Sequence, residues 1–236
     1  MEFKSFAAAY DHFSGDNAYN AQYERPAMRA LLPEDLRGVR ILDAGCAVGY
    51  HAAWMQERGA RVVAVDNDPS MVELARRRLG EDGRVVLADL AKPLAFLDEG
   101  SVDLVFCSLT MHYLADWQSV FAEFHRVLVR GGRLLFSTHH PCADQSWGGS
   151  DYFAVERLTQ VWSEFGPREY PMVFYRRPLS SMIADLGGAG FQIEKVVEPR
   201  PQPQMRQTAP ETFAKLSRHP WFILFQAVRV DSGFCS

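Results

Sequence analysis

The 236-residue sequence has no apolar run approaching the ~18 residues that cross a bilayer, no CxxC pair and no long run of Lys or Arg. Each absence removes a class of function. No segment reads as a membrane span. The leading string MEFKSFAAAYDHF carries acidic and polar residues where an export signal needs an unbroken apolar stretch. The four cysteines, Cys46, Cys107, Cys142 and Cys235, are scattered at spacings that suit no zinc site, so free thiols in a reducing cytosol are expected. A net charge of −4 lacks the electrostatic footprint of a nucleic-acid binder. The densest basic cluster, Arg76 to Arg78, falls late in an expected helix, where cations suit the macrodipole, and reads as a solvated face. These absences predict a cytoplasmic monomer or homodimer that acts on a small molecule and touches neither nucleic acid nor membrane.

What is present is enough apolar residue, 47%, to build the core of a single α/β domain with one insertion. Short apolar runs at 39–44, 61–65, 84–88, 102–107 and 133–138 read as buried strands with helical stretches between them, the pattern of a parallel sheet covered on both faces. Helix-end signals support the alternation. Asp68 can cap and Pro69 suits the first helical position, with Gly80 after the last apolar residue. A second helix starts near Asp116, its apolar positions Val120, Phe121, Phe124, Val127 and Leu128 lie at helical spacing, and Gly131 is expected as its left-handed C-terminal residue.

Residues 1–37 read as a helical, tyrosine-bearing cap, 38–140 as a ligand-binding core, and 141–178 as an insertion. That insertion is dense in Trp147, Tyr152, Phe153, Trp162, Phe165, Tyr170, Phe174 and Tyr175, a content that argues against disorder. Residues 179–230 supply a helix near 181–186 and closing strands from Phe191 and Trp221, separated by the proline-rich 199–210. The whole chain is expected to be one domain.

The string ILDAGCAVGYHAAWM carries the chemistry. It sets Asp43 at a strand end, then Gly45 and Gly49, then a helix. Glycine lets a backbone approach a ligand closely, and a helix start presents free N–H groups. A dinucleotide site would read GxGxxG, whereas Ala47 stands where the middle glycine belongs and position 50 is Tyr, which argues against NAD. Asp66 ends VVAVD and Asp89 ends VVLAD, so three successive strands finish at or beside an acid along the edge where open α/β sheets bind ligands. Any one such Asp is ordinarily a cap or turn residue. Three in register are not.

On these residues the chain resembles the class I S-adenosylmethionine-dependent methyltransferases, in the small-molecule branch that includes ubiquinone- and menaquinone-biosynthesis-type enzymes. The resemblance covers roughly residues 39–140, in LDAGCAVG, VDNDPSMVELAR, ADL, SVDLVFCSLTMHYLADW and FHRVLVRGGRLLFS; Ala47 departs from the family's usual glycine. It implies a Rossmann-like, mostly parallel seven-stranded α/β sheet. It also implies that Gly45, Cys46, Ala47 and Gly49 border the amino-acid part of S-adenosylmethionine, with Asp43 acting nearby through the loop or an ordered water. Asp66 would take the ribose hydroxyls, and Asp89 the adenine amino group, framed by Asn67, Met71 and Leu90. Ser108, Leu109 and Tyr19 would stand at the sulfonium end. The 141–230 region, in DYF, VW, YRRPLS and GFQIEKVVEPRPQP, is similar to a set of uncharacterised bacterial small-molecule methyltransferases.

Transfer to a hydroxyl or protonated amine needs a base, and histidine suits neutral pH. His139 and His140 follow the fifth strand and His112 follows the fourth, which makes them the catalytic candidates. Tyr10, Tyr19, Tyr23 and the insertion aromatics are candidates to exclude water and tolerate the sulfonium cation. Reading HHPC as a metal site fails for want of acidic partners at ligand spacing. Two other readings share this pattern: a tRNA or protein methyltransferase, which wants a basic face, and a cofactor-binding protein that does not methylate.

Overall fold

The apolar residues of the strands alternate between two cores, and that alternation builds the molecule. Leu42, Val105, Leu134, Phe136 and Phe225 enter one cluster, while Ile41, Leu104, Phe106, Leu135 and Leu224 enter the other. Neighbouring residues of a strand point to opposite faces, so a sheet with two buried faces needs helices on both. The computed structural model describes residues 6–145, 148–162 and 169–230.

The chain opens with α1 (Phe6–Asp16), a π-helical turn (Asn20–Glu24) and α2 (Arg25–Arg29). Then come β1 (Arg40–Ala44), α3 (Tyr50–Gln56), β2 (Arg61–Asp66), α4 (Pro69–Leu79), β3 (Arg84–Leu87) and β4 (Val102–Cys107). A 3-10 turn (Met111–Tyr113) and α5 (Trp117–Val127) lead to β5 (Leu128–His139) and α6 (Pro141–Gln145). The remainder comprises β6 (Glu156–Trp162), β7 (Tyr170–Arg176), α7 (Leu179–Gly188), β8 (Phe191–Val197), α8 (Met205–Thr208), α9 (Pro210–Leu216) and β9 (Phe222–Arg229). The main sheet has seven strands in the order β3-β2-β1-β4-β5-β9-β8. Its first five strands are parallel and β9 runs antiparallel to both neighbours. Because β9 is reversed, its first residues return to the edge where β1, β2, β4 and β5 end.

Asp68 caps α4 through the N–H groups of Ser70 and Met71, and Gly80 closes it at a φ of 73°. Asp116 caps α5 in the same way. The expected role of Gly131 is corrected: α5 ends at Val127 because buried Leu128 is extended and already pairs with Val102. Between that pair and Leu104↔Arg133, β5 places four residues against one on β4, so Gly131, at a φ of 69°, sits in an irregularity of the strand. Two further differences lie outside the core. Helix in the leading segment stops at Arg29, before 37, and the proline-rich stretch contains α8 and leads directly into α9. The insertion holds a two-stranded sheet, β6 with β7, separate from the main one; Trp147 and Phe165 lie outside the described residues. No helix among the described residues is long and apolar enough to cross a membrane.

Candidate active site

One cavity of about 810 Å³ opens along the strand-end edge, bounded by α1, the loops after β1 to β4, the end of β5, the β6–β7 hairpin and the start of β9. That lies near the upper end of the roughly 300–1,000 Å³ of small-molecule pockets.

At one end the loop after β1 takes left-handed backbone at alternate residues, Gly45 (φ 79°), Ala47 (φ 48°) and Gly49 (φ 84°). A Cβ at Gly45 would collide with the Thr110 side chain, so only glycine fits. Ala47 accepts the strain of this backbone because its N–H then points at Asp66 and donates to Oδ2 at 2.9 Å. Oδ1 of Asp66 accepts from the Asp68 N–H at 3.0 Å. The carboxylate is thus fixed by one bond on each oxygen while still facing the cavity. Burial raises its pKa, and the N–H donors work against that rise.

Of the cofactor-side residues expected from sequence, Tyr19, Gly45, Ala47, Asp66, Asn67, Met71, Asp89, Leu90, Ser108 and Leu109 line this cavity. Asp43 and Cys46 face a smaller polar alcove of about 40 Å³ beside it, shared with Glu24, Arg25 and His51. Gly49 lines neither: it heads α3 and packs on Leu79 and Ala75 of α4.

Asp43 is 1% exposed, and burial with repulsion from Asp66 pushes its carboxyl up to about 8. A raised folded pKa means the native state holds a proton that the unfolded chain has released near pH 3.8. The associated stability is fully present below pH 3.8 and is lost as pH rises to about 8. Asp43→Asn, neutral throughout, should therefore gain stability relative to wild type between pH 5 and 8, by roughly 3–4 kcal/mol, by chemical denaturation. A constant difference across that window would show that Asp43 ionises at its ordinary value.

The sequence reading did not find Glu24. It lies in the π-helical turn, 1% exposed, and its Oε1 accepts from the hydroxyls of Ser108 at 2.7 Å and Ser137 at 2.6 Å. Ser137 in turn accepts from the N–H of Leu109 at 2.9 Å. Among the described residues Leu109 is the other non-glycine with positive φ, at 46°, so this chain of bonds holds a strained turn on the cavity wall. His51 Nε2 stands 3.8 Å from Oε2. Burial opposes ionisation of Glu24, yet His51 and the two serine hydroxyls outweigh it and hold the carboxyl below the usual range.

The leading segment also closes the cavity from above. Arg25 donates to the carbonyls of Ser14 and Gly15 and lies over the Tyr50 ring. Arg78 lies over the same ring and pairs with Asp11 at 2.8 Å, so α1 is tied to α3 and α4. Tyr10 and Tyr19 line the cavity. Tyr23 does not; it is fully buried and its hydroxyl accepts from the Trp221 N–H, which makes it a packing residue.

At the other end, His112 and His139 stack with ring centroids 3.7 Å apart and 11° between planes, and both line the cavity. His112 is 2% exposed, and neither of its ring nitrogens has a hydrogen-bond partner among the described residues. Burial, then the neighbouring His139, holds it neutral far below the usual imidazole range. His140 turns elsewhere: its Nε2 lies 2.9 Å from Glu198 Oε1, its Nδ1 accepts from the Cys142 N–H, and it is absent from the cavity lining. Trp162 and Tyr175 of the hairpin face the cavity, whereas Phe153 is 80% exposed. No cluster of His, Cys, Asp or Glu suited to a metal ion occurs among the described residues.

An acid-tipped parallel sheet, a glycine loop tied to the second acid and an aromatic compartment beside it suit a nucleoside-type cofactor bound at the strand ends. Residues 42–136 match the family model described as a methyltransferase domain. An uncharacterised protein of Haemophilus influenzae is 31% identical over 231 residues, covering 90% of this chain and 89% of its own. The malonyl-[acyl-carrier protein] O-methyltransferase of Serratia marcescens is 33% identical over 137 residues; the match covers 57% of this chain and only about half, 52%, of that enzyme. A solved S-adenosylmethionine-dependent methyltransferase from Mesorhizobium loti superposes with a TM-score of 0.70 at 29% identity, over 92% of this chain and all of its own. The chain belongs to the class I S-adenosylmethionine-dependent methyltransferases and is an enzyme of that family.

Proposed function

We propose that the enzyme moves the methyl group of S-adenosylmethionine to an oxygen or nitrogen nucleophile of a small-molecule acceptor by in-line displacement. The observation that carries this reading is His112: two buried, unpartnered ring nitrogens in a cavity wall, stacked on His139, at the end away from the acid-tipped strands. Buried polar atoms of this kind are satisfied by a ligand.

The residues present fit the cofactor. Asp66 has lone pairs left for a ribose diol, and Asp89 stands beyond β3 with Asn67, Met71 and Leu90 around it to receive the adenine. The Gly45–Gly49 loop leaves backbone space for the amino-acid end, whose charged groups the alcove of Asp43, Glu24 and Arg25 suits. When bound, S-adenosylmethionine supplies a methyl group on a sulfonium, already electrophilic. The protein's share is to position the nucleophile at about 3 Å and in line, and to keep water out. Ser108 and Leu109, on the wall between the two ends, border the reacting atoms, and the faces of Tyr10 and Tyr19 tolerate the cation. The proton of a hydroxyl or amine acceptor goes to a ring nitrogen of the stacked His112–His139 pair. An oxygen nucleophile is favoured by likeness to malonyl-[acyl-carrier protein] O-methyltransferases.

The test joins calorimetric titration with S-adenosylmethionine, S-adenosylhomocysteine and NAD to turnover, read as S-adenosylhomocysteine formed across hydroxy- and amino-arenes. Saturable binding of the first two without NAD is expected. His112→Phe and His139→Phe should lower kcat about 100-fold at unchanged cofactor affinity, while His140→Ala stays within a few-fold of wild type. Unchanged kcat in both phenylalanine variants would remove the histidine pair from the reaction, and NAD binding would overturn the cofactor assignment.

A further inference from the structure

The charges lining the cavity are unevenly placed. Asp66, Asp68 and Asp89 stand at the ends of β2 and β3, on the cofactor half. Among the described lining residues the one Lys or Arg is Lys215, on α9, immediately before β9 on the opposite half of the sheet edge. Its ammonium lies 3.8 Å from the centre of the Trp221 ring, and it forms no ion pair among the described residues. An ordinary surface lysine is mobile, whereas a ring face limits where this one can stand.

From Lys215 the wall continues as a run of flat rings. Trp221 packs on Tyr19 at 5.8 Å, the next residue, Phe222, stacks on His139 at 6.1 Å, and His139 stacks on His112. Met172, Trp162 and Tyr175 of the hairpin line the same cavity. One end of this run is the Lys215 ammonium over the Trp221 ring and the other the stacked rings of His112 and His139, with apolar surface between. Three aspartates at the far half repel an anion, and Lys215 attracts it, so a negatively charged acceptor is both steered and oriented.

We propose that the acceptor is a planar, largely apolar acid whose carboxylate is held by Lys215 on the Trp221 face while its body lies along the aromatic wall toward His112 and His139. This rests on the methyltransferase reading above and names the substrate class for the same site. The carboxylate serves as a handle, and selectivity for it comes from α9, a part of the chain separate from the cofactor loop.

The test uses full-length protein saturated with S-adenosylhomocysteine, titrated calorimetrically with 2-naphthoate and its neutral counterpart 2-naphthamide. Wild type should bind the carboxylate about tenfold more tightly, roughly the effect of one exposed charge-assisted bond. Lys215→Met should abolish that preference by weakening the carboxylate alone, Lys215→Arg should restore it, and S-adenosylhomocysteine affinity should not move in either variant. Equal affinities in wild type, a preference that survives Lys215→Met, or binding of neither probe to the loaded protein would overturn the proposal while the methyltransferase reading stands. Failure of S-adenosylhomocysteine itself to bind would overturn that reading and the acceptor class with it.

Discussion

Asp66→Ala is expected to weaken S-adenosylhomocysteine binding by about 100-fold or more. A carboxylate that receives two ribose hydroxyls makes two charge-assisted hydrogen bonds, each contributing about 1.5–3 kcal/mol, and every 1.4 kcal/mol is tenfold in affinity. A second effect adds to the first. The same carboxylate accepts from the N–H groups of Ala47 and Asp68, so its removal leaves left-handed Ala47 without the bond that favours its conformation. Asp66→Asn keeps one carbonyl acceptor and should fall between wild type and alanine. Calorimetric titration decides it: an affinity in Asp66→Ala within threefold of wild type would remove this residue from the cofactor site.

Glu24→Ala should lower stability by about 3 kcal/mol, the range seen when one member of a buried charged network is removed. For a chain of this size that corresponds to a melting temperature about 6–12 °C lower. The cost arises because the hydroxyls of Ser108 and Ser137 lose their acceptor and His51 loses its carboxylate neighbour, all in buried surroundings. Glu24→Gln, which retains an acceptor oxygen but no charge, should lose less. Differential scanning calorimetry at pH 7 is the measurement. A melting temperature within 1 °C of wild type in Glu24→Ala would mean that Ser137 and Leu109 keep their places without it.

The reasons for what was legible in the sequence are physical. The core between β1 and β5 could be read because its signals are local: apolar runs of strand length, acids at their ends and glycines where the backbone must turn left-handed. Glu24 could not be read, because glutamate is ordinary in a helical segment and its meaning comes from Ser108 and Ser137, 84 and 113 residues away. The β6 strand was hidden because its more buried side chains, Glu156, Leu158, Gln160 and Trp162, mix polar with apolar, so no alternation of hydropathy marks it. Lys215 lay beyond a proline-rich stretch read as a spacer. Proline there opens α9, where its missing N–H costs nothing. The tandem histidines are instructive too. Neighbours at a strand end point apart, so at most one of His139 and His140 could face a ligand, but the sequence does not say which.

Among the described residues the β6–β7 hairpin pairs with itself and with no strand of the main sheet, yet it gives the cavity Gln160, Trp162, Met172 and Tyr175. Substitutions there alter one wall of the cavity without breaking a ladder bond of β1 to β5 or moving the loop that Asp66 anchors. On the function proposed above, donor machinery and recognition surface therefore stand on separate scaffolds. Relatives with this core are free to diverge in what they methylate while spending the same reagent in the same way, and the hairpin is where a change of substrate range costs the fold least.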